Sequence, residues 1–244
     1  MLLGEKMILE IKNFSKSYNS KTKAVNNLSL EINEGDIYGF IGENGAGKST
    51  TLRSVAGILP FEEGDIIINE FSIKKNPIEC KKIIAYIPDS PDIFPHLKGI
   101  EYLNFICDLY SVNREDRNKR IYYYSQKFEV DDILGDKISS YSHGTKQKIA
   151  LIAALAHEPR LLMLDEPFVG LDPKAIYILK NIMKDYVKKG NAIFFSSHSL
   201  EVVEELCNKV AIIKKGVIVA NGNIEEIKGD KSLENLFLEL SEHV

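Results

Sequence analysis

The sequence contains few cysteines and no long apolar run. Its three cysteines, Cys80, Cys107 and Cys207, are far apart and form no C-x-x-C pair or Cys/His cluster, which suits a reducing compartment and argues against a structural zinc site. The longest apolar stretch, residues 149–156, is much shorter than the ~20 residues needed to span a bilayer. The first six residues lack a signal-peptide pattern. We therefore expect a chain that is soluble by itself.

Excess charge of one sign is also missing. The formal net charge is −4, the sequence pI is near 5.8, and no stripe of lysine and arginine is present. This composition argues against DNA or RNA as the main partner, so no nucleic acid is expected. At 244 residues the chain is long enough to bury the core of one large α/β domain.

Residues 42–50, the phosphate loop, match the pattern G-x-x-x-x-G-K-[ST] at every fixed position. Glycines let backbone N–H groups turn toward an anion, Lys48 can neutralise phosphate charge, and the Ser49 hydroxyl can ligate Mg²⁺. An apolar strand pattern precedes the loop and helical spacing follows it, which places the loop at a helix N-terminus, where anions are favoured. The predicted phosphate-binding residues are Gly42, Glu43, Asn44, Gly45, Ala46, Gly47, Lys48, Ser49 and Thr50.

Hydrophobic patterning predicts an α/β fold. Alternating runs near the N-terminus indicate an antiparallel strand pair, and strands alternating with helices toward the C-terminus indicate a parallel sheet. We expect a P-loop NTPase core with a mixed or parallel sheet, an N-terminal antiparallel β subdomain and an inserted helical subdomain. The predicted organisation is a single domain over residues 1–244, with a core at 1–89 and 158–244 and a helical segment at 90–157.

Two carboxylates follow the apolar strand pattern at residues 161–164. In a phosphate-loop protein, Asp165 can hold Mg²⁺ through its water shell, and Glu166 can orient or deprotonate an attacking water. The alternative is a strand-end turn whose acids are merely solvated, because exposure is the default for these side chains.

A Ser/Gly-rich helix start at residues 142–145 is a second candidate anion site. The residues alone favour a more ordinary interpretation, in which a serine or threonine caps the helix. Phosphate binding at residues 142–145 becomes the favoured interpretation only when the other motifs of the chain are considered.

Together these motifs resemble the ATP-binding subunits of ABC transporters, from about residue 8 through the last predicted helix. The phosphate loop, residues 142–147 in place of the L-S-G-G-Q signature, the Asp-Glu pair, residues 170–173 and His198 occur in the family's order. The resemblance implies ATP and Mg²⁺ as ligands. It also implies a head-to-tail pair with a second ATP-binding subunit, identical or different, whose ATP contacts the signature residues Ser142, His143, Gly144 and Thr145.

The resemblance further implies roles for single residues. Tyr18 is expected to stack on adenine, Glu166 to act as catalytic base, and His198 to contact the γ-phosphate beside Lys48. Asp172 is expected to signal across the dimer. The ordinary alternatives are an exposed aromatic at a strand end for Tyr18 and a helix-capping histidine for His198.

Some positions depart from the family pattern. Asp89 stands where the family usually has the glutamine that contacts Mg²⁺, and a carboxylate can still serve as a ligand. In the signature, Tyr141, His143 and Thr145 replace Leu, Gly and Gln. The Tyr-Ser-His-Gly sequence, with Pro-Asp at the glutamine position, is similar to subunits of small bacterial exporters.

The expected function is therefore an ATPase that drives transport through a separate integral membrane permease. The resemblance implies a cytoplasmic protein, peripheral on the inner face of the cell membrane. The segment at residues 92–97 mixes apolar side chains with prolines, and it is the candidate contact with the permease. A small local core is the alternative for this segment.

Two other function classes are less compatible with the sequence. A soluble ABC-type ATPase acting on ribosomes or DNA usually has two cassettes or a long coiled coil, and Lys48 and Ser142 are too close for that insertion. A phosphate-loop GTPase needs a guanine-reading N-K-x-D sequence, and residues 208–211 lack its aspartate.

Overall fold

The structure, a computed structural model, describes residues 6–19, 22–91 and 93–242. In chain order the strands and helices are β1 (Met7–Asn19), β2 (Thr22–Asn33), β3 (Ile37–Ile41), α1 (Lys48–Val55), β4 (Glu63–Ile68), β5 (Phe71–Ser72), α2 (Pro77–Lys82), β6 (Ile84–Ile87), α3 (Gly99–Leu109), α4 (Arg114–Lys127), α5 (His143–Ala156), β7 (Leu161–Asp165), α6 (Pro173–Val187), β8 (Ala192–Ser197), α7 (Leu200–Leu206), β9 (Lys209–Lys214), β10 (Val217–Asn223), α8 (Ile224–Lys228) and α9 (Leu233–Glu242).

The chain divides into two compact units. The first unit consists of Met1–Tyr86, Arg160–Glu166 and Met183–Val244, and the second of Ile87–Pro159 and Pro167–Ile182. Both sheets and the phosphate loop belong to the first unit. Three helices of the predicted helical segment belong to the second.

An antiparallel sheet of the first unit has the strand order β2-β1-β4-β5. Its register pairs Ile11 with Leu30 and Leu9 with Ile68. In the second half of β2, buried Leu28, Leu30 and Ile32 alternate with exposed residues. Successive side chains of a strand point to opposite faces, so this alternation covers one face and exposes the other. The predicted antiparallel β subdomain is confirmed.

The other sheet of the first unit has the order β10-β9-β3-β8-β7-β6. Strand β3 pairs in parallel with β8 and β9, β7 pairs in parallel with β8, and β10 is antiparallel to β9. All residues of β3, β7 and β8 are buried. Continuous burial is typical of parallel strands that are covered on both faces. The predicted mixed or parallel core is confirmed.

Both sheets contribute to one hydrophobic core. The core includes Phe14 of the antiparallel sheet, Phe40 and Phe194 of the parallel sheet, and Leu52 of α1, each with no exposed surface. The rings of Phe40 and Phe194 have centroids 5.4 Å apart. Aromatic pairs at this separation add to the stability from burial. The ends of β3, β7 and β8 are therefore fixed by a close-packed interior.

The second unit is built around α5, which packs against α3 and α4. Residues 149–156 of α5 are buried all round, and the Arg120 guanidinium of α4 donates to the carbonyl oxygen of Ala156 (3.0 Å). This unit also contains residues 167–182, which the sequence interpretation assigned to the core. Within this unit Lys174 pairs with Glu129 and Lys148 with Asp172, so charged side chains join this segment to the helices.

Candidate nucleotide site

The phosphate loop is shaped by close backbone contacts at two glycines. Gly47 has a φ of +113°, and a Cβ atom there would lie 2.7 Å from the carbonyl oxygen of Ala24. A Cβ atom at Gly42 would overlap the carbonyl oxygen of Ile213, at the end of β9. Gly47 combines a positive φ with a close approach, and Gly42 is required by the close approach alone, so the loop conformation depends on both residues.

Lys48 is the first residue of α1, and its side chain turns back over the loop. Its Nζ donates to the carbonyl oxygens of Gly42 (2.7 Å) and Glu43 (3.3 Å) and lies 4.0 Å from Oε1 of Glu166. Burial lowers the pKa of Lys48, and the carboxylates of Glu166 and Asp165 oppose that shift. The lysine thus holds a positive group at the mouth of the loop, and an ammonium has three N–H donors, so it can also donate to a phosphate oxygen.

Tyr18 lies beside the start of α1. Its hydroxyl is 3.1 Å from Oγ1 of Thr50, and the residue is 62 % exposed. The Nζ of Lys16 lies 5.9 Å from the centre of the tyrosine ring. The structure therefore brings Tyr18 to the phosphate loop with its ring accessible, as base stacking requires.

Asp165 ends β7 and is only 1 % exposed. Because β7 and β8 pair in parallel, Asp165 lies opposite Ser196, whose Oγ donates to the aspartate at 2.5 Å. The hydroxyl of Tyr86 donates to the other carboxylate oxygen at 3.4 Å. Both hydroxyls orient a buried carboxylate toward the end of the parallel sheet.

Glu166 connects the loop lysine with His198. Its Oε2 lies 2.8 Å from Nδ1 of His198 and accepts the His198 backbone N–H at 3.3 Å. Its own N–H donates to Oγ of Ser196 (3.0 Å). The φ of Glu166 is +49°, a left-handed conformation that costs a non-glycine residue about 1 kcal/mol or more. Such strain occurs preferentially at functional positions.

His198 follows β8 and has an exposed side chain. Its Nδ1 is engaged by Glu166, and within residues 6–19, 22–91 and 93–242 no hydrogen bond to Nε2 is seen. An imidazole fixed through one nitrogen can present the other to a ligand. The structure thus brings Lys48, Glu166 and His198 together at the ends of parallel strands.

The signature residues form the start of α5. Ser142 is the N-cap, and its Oγ accepts the N–H of Thr145 (3.2 Å). A Cβ atom at Gly144 would lie 2.5 Å from the carbonyl oxygen of Gly170, and one at Gly170 would lie 2.5 Å from Cδ2 of His143. The capping role of Ser142 is therefore present, and its contact with a nucleotide stays a prediction.

Asp172 lies in the second unit and is tied to α5. Its Oδ2 pairs with Nζ of Lys148 (2.9 Å), and its Oδ1 accepts the N–H of Ala175 (2.8 Å). The hydrogen bond from Lys148 lowers the pKa of Asp172. The role of Asp172 in dimer signalling stays a prediction.

Asp89 is exposed, and its Oδ1 accepts the N–H of Ser90 (2.9 Å). Its role as a metal ligand also stays a prediction.

Of the candidate permease contact at 92–97, Asp92 lies outside the described residues. Phe94 is 46 % exposed, and its ring centre lies 5.8 Å from that of Phe105 and 6.3 Å from that of Tyr102.

Sequence reasoning missed Ser196, which binds both Asp165 and Glu166. Its signal was available, because two serines end an otherwise apolar strand at residues 192–197. A polar side chain at the carboxyl end of a buried parallel strand lies at the edge where α/β proteins place their ligands. Tyr86, near the end of the neighbouring strand β6, was also missed, and its position at the carboxyl end of a strand is the same kind of signal.

The fold and this cluster define a phosphate-loop ATPase, and comparisons identify its family. Residues 25–169 match the family model described as ABC transporter. The ABC transporter ATP-binding protein YhaQ of Bacillus subtilis is 37 % identical over 216 residues, covering 88 % of this chain and 71 % of that protein. The chain therefore belongs to the ABC transporter family, as an ATP-binding subunit with ATPase activity.

Two further relatives cover almost the whole chain. The lipopolysaccharide export system ATP-binding protein LptB of Escherichia coli is 30 % identical, covering 94 % of this chain and 96 % of that protein. A solved structure of an ATP-binding subunit of an ABC transporter has a TM-score of 0.92 and 30 % identity, covering 96 % of this chain and 99 % of that one. Among the described helices, none has the length and apolar character needed to cross a membrane.

Proposed function

We propose that the chain binds MgATP at a site shared by two subunits and that hydrolysis drives export through a separate membrane permease. In this proposal residues 1–244 act as one ATPase domain, held at the inner face of the cell membrane by the permease. The observation that carries the proposal is the cluster at Glu166, whose carboxylate contacts His198 and lies 4.0 Å from the loop lysine Lys48.

The residues of the cluster have distinct proposed tasks. Loop N–H groups and Lys48 bind the phosphates, and Tyr18 stacks on the base. Glu166 accepts a proton from water as the water oxygen bonds to the γ-phosphorus and the bond to the β–γ bridging oxygen breaks, which yields ADP and phosphate. His198 holds the Glu166 carboxylate in place and presents Nε2 toward the γ-phosphate.

The oxygen groups of the site fit Mg²⁺, which prefers oxygen ligands. The proposed ligands are the Ser49 hydroxyl, in the first turn of α1, and the buried carboxylate of Asp165, with Asp89 as a third. Asp165 supports this assignment, because it is buried and its hydrogen bonds within the described part of the chain come from the neutral hydroxyls of Ser196 and Tyr86. A buried carboxylate whose hydrogen bonds come from neutral groups can be stabilised further by a cation, in addition to its electrostatic interaction with Lys48. When bound, Mg²⁺ neutralises phosphate charge.

The proposed second subunit, identical or different, completes the site through its signature residues Ser142, His143, Gly144 and Thr145. This part rests on helix α5, whose capped N-terminus supplies N–H groups and a positive dipole end suited to phosphate. Gly144 keeps the helix start closely packed on Gly170, and Lys148 ties the same helix to Asp172. The helix start that would contact ATP is thus linked through Lys148 to Asp172, the residue expected to signal across the dimer.

The proposed export direction and the proposed membrane permease rest on other observations. One relative, LptB, is by its name part of an export system, and the Tyr141–Gly144 sequence resembles that of exporter subunits. In the aromatic patch, formed by Phe94, Tyr102 and Phe105, the exposed rings of Phe94 and Phe105 beside the half-buried Tyr102 offer apolar surface for a helix of the permease. No transmembrane segment of the chain's own is needed in this arrangement.

Co-purification tests whether the chain binds an integral membrane permease. We expect the tagged chain, extracted with detergent from membranes of its own cells, to retain an integral membrane protein. Phe94→Asp should reduce that recovery at least about tenfold, because a charge in an apolar contact costs more than about 1.4 kcal/mol. Tyr122→Asp, at an exposed aromatic on α4, is the matched control and should change recovery less than about twofold. Recovery of ribosomal proteins instead of a membrane protein would contradict the proposal and favour the ribosome-acting alternative.

A further inference from the structure

The turn between β9 and β10 contacts the phosphate loop through its backbone. The N–H of Gly216 donates to the carbonyl oxygen of Ala46 (2.9 Å), and the carbonyl of Gly216 accepts the N–H of Asn26 in β2 (2.8 Å). One residue thus connects a strand of the antiparallel sheet to the phosphate loop. Neither partner is near it in the sequence.

Two glycines enclose the carbonyl group of Ala24. A Cβ atom at Gly47 would lie 2.7 Å from this oxygen, and one at Gly216 would lie 2.8 Å from it. Both distances are too short for a carbon beside a backbone oxygen. Gly216 also has a φ of +83°, which other residues adopt only with strain. Steric fit and backbone conformation therefore both require glycine at position 216.

The carbonyl groups of a phosphate loop must point away from the anion. Such a loop binds through N–H groups, and an inward carbonyl would repel phosphate. The carbonyls of Gly42 and Glu43 are engaged by Lys48, and that of Gly47 by Thr51. These partners all come from the loop or α1. The carbonyl of Ala46 is held from outside, by the β9–β10 turn.

We infer that Gly216 is a positioning residue for nucleotide binding. By holding the Ala46 carbonyl outward, it keeps the adjacent loop N–H groups turned toward the phosphates, although it touches no nucleotide itself. The turn also fixes β2, the partner strand of β1, which carries Tyr18. Tyr18, which is proposed to stack on the base, and the phosphate loop are thereby held at a fixed distance from each other. The inference rests on the proposed role of the phosphate loop.

Gly216→Ala tests the inference against a matched glycine. Gly190 has the same φ of +83°, yet the nearest atom to an added Cβ there is Oε2 of Glu34, at 3.8 Å. Gly190→Ala therefore introduces comparable backbone strain without a clash and away from the loop. We expect Gly216→Ala to raise the KM for ATP and the Kd of a non-hydrolysable ATP analogue about tenfold, and Gly190→Ala to change both less than about twofold.

The split between KM and kcat separates positioning from simple destabilisation. Partial unfolding lowers the active fraction, and therefore kcat, but leaves the KM of the remaining molecules unchanged. Positioning predicts the opposite, with kcat at saturating ATP within about twofold of the wild type. Equal KM values for Gly216→Ala and the wild type would overturn the inference. Failure of the wild-type chain to bind ATP would instead overturn the proposed role of the loop.

A second variant covers the case in which Gly216→Ala does not fold. One extra glycine inserted between Lys215, which is exposed, and the buried Gly216 lengthens the turn and moves the donor N–H away from Ala46. The same rise in KM is expected. An insertion variant that folds and keeps the wild-type KM would contradict the inference.

Discussion

Glu166→Gln is expected to reduce ATP hydrolysis by about 10²–10³-fold and to leave ATP affinity within about threefold of the wild type. The amide cannot accept the proton of the attacking water, which removes general-base catalysis. Glutamine nevertheless has nearly the same shape, and its side-chain oxygen can still accept the backbone N–H of His198. Phosphate release under saturating MgATP measures the loss, and calorimetry measures binding.

Glu201→Gln is a matched control for this variant. Glu201 is an exposed carboxylate in the first turn of α7, three positions from His198. The Glu201→Gln substitution removes the same charge close to the site and leaves Lys48, Glu166 and His198 unchanged. The ATP hydrolysis rate of this variant should therefore stay within about twofold of the wild type. Hydrolysis by Glu166→Gln at the wild-type rate would show that Glu166 is not the base.

Lys48→Ala is expected to weaken ATP binding by about two orders of magnitude, since hydrogen bonds to charged groups contribute about 1.5–3 kcal/mol each. The buried ammonium donates to the carbonyl oxygens of two residues of the phosphate loop. Its removal also frees the carbonyls of Gly42 and Glu43 to turn toward the anion. Calorimetric titration with ATP and with ADP gives the two dissociation constants.

Lys48→Met keeps the volume of the side chain and separates lost charge from a packing defect. It should bind ATP as weakly as Lys48→Ala. Lys23→Ala removes an exposed lysine of β2 that pairs with Glu63, and it should bind ATP almost like the wild type, because exposed ion pairs contribute little. ATP affinity of Lys48→Met equal to that of the wild type would contradict the phosphate-binding role of this lysine.

Local patterning in the sequence was sufficient to predict most of the fold. The alternation in β2 and the continuous apolar runs of β3 and β7 match the burial that each kind of sheet imposes. Helix α2 was missed, although Pro77 at its first turn is a start signal, because six residues are too few to show a helical period. The predicted ABC-type ATPase fold and family are both confirmed.

The sequence was less informative about contacts between distant segments. Local motifs pointed to Lys48, Asp165 and Glu166, because each belongs to a pattern with its own chemistry, whereas His198 was proposed from the family resemblance. The hydrogen bond between Gly216 and Ala46 joins backbone groups, which leave no side-chain signal in either segment. Residues 167–182 belong to the second unit, and the partners of their ion pairs lie far away in the sequence, which local patterns do not reveal.

In the proposed arrangement, one chain supplies half of a nucleotide site. Sedimentation of Glu166→Gln with MgATP tests it most directly, because this variant should bind ATP without consuming it. When the second subunit is another copy of this chain, we expect a doubling of mass with MgATP, none with MgADP, and loss of the doubling when Ser142→Arg blocks the helix start of α5. A Glu166→Gln chain that binds ATP by calorimetry and still sediments as a single chain at every concentration would contradict a site shared by two copies of this chain.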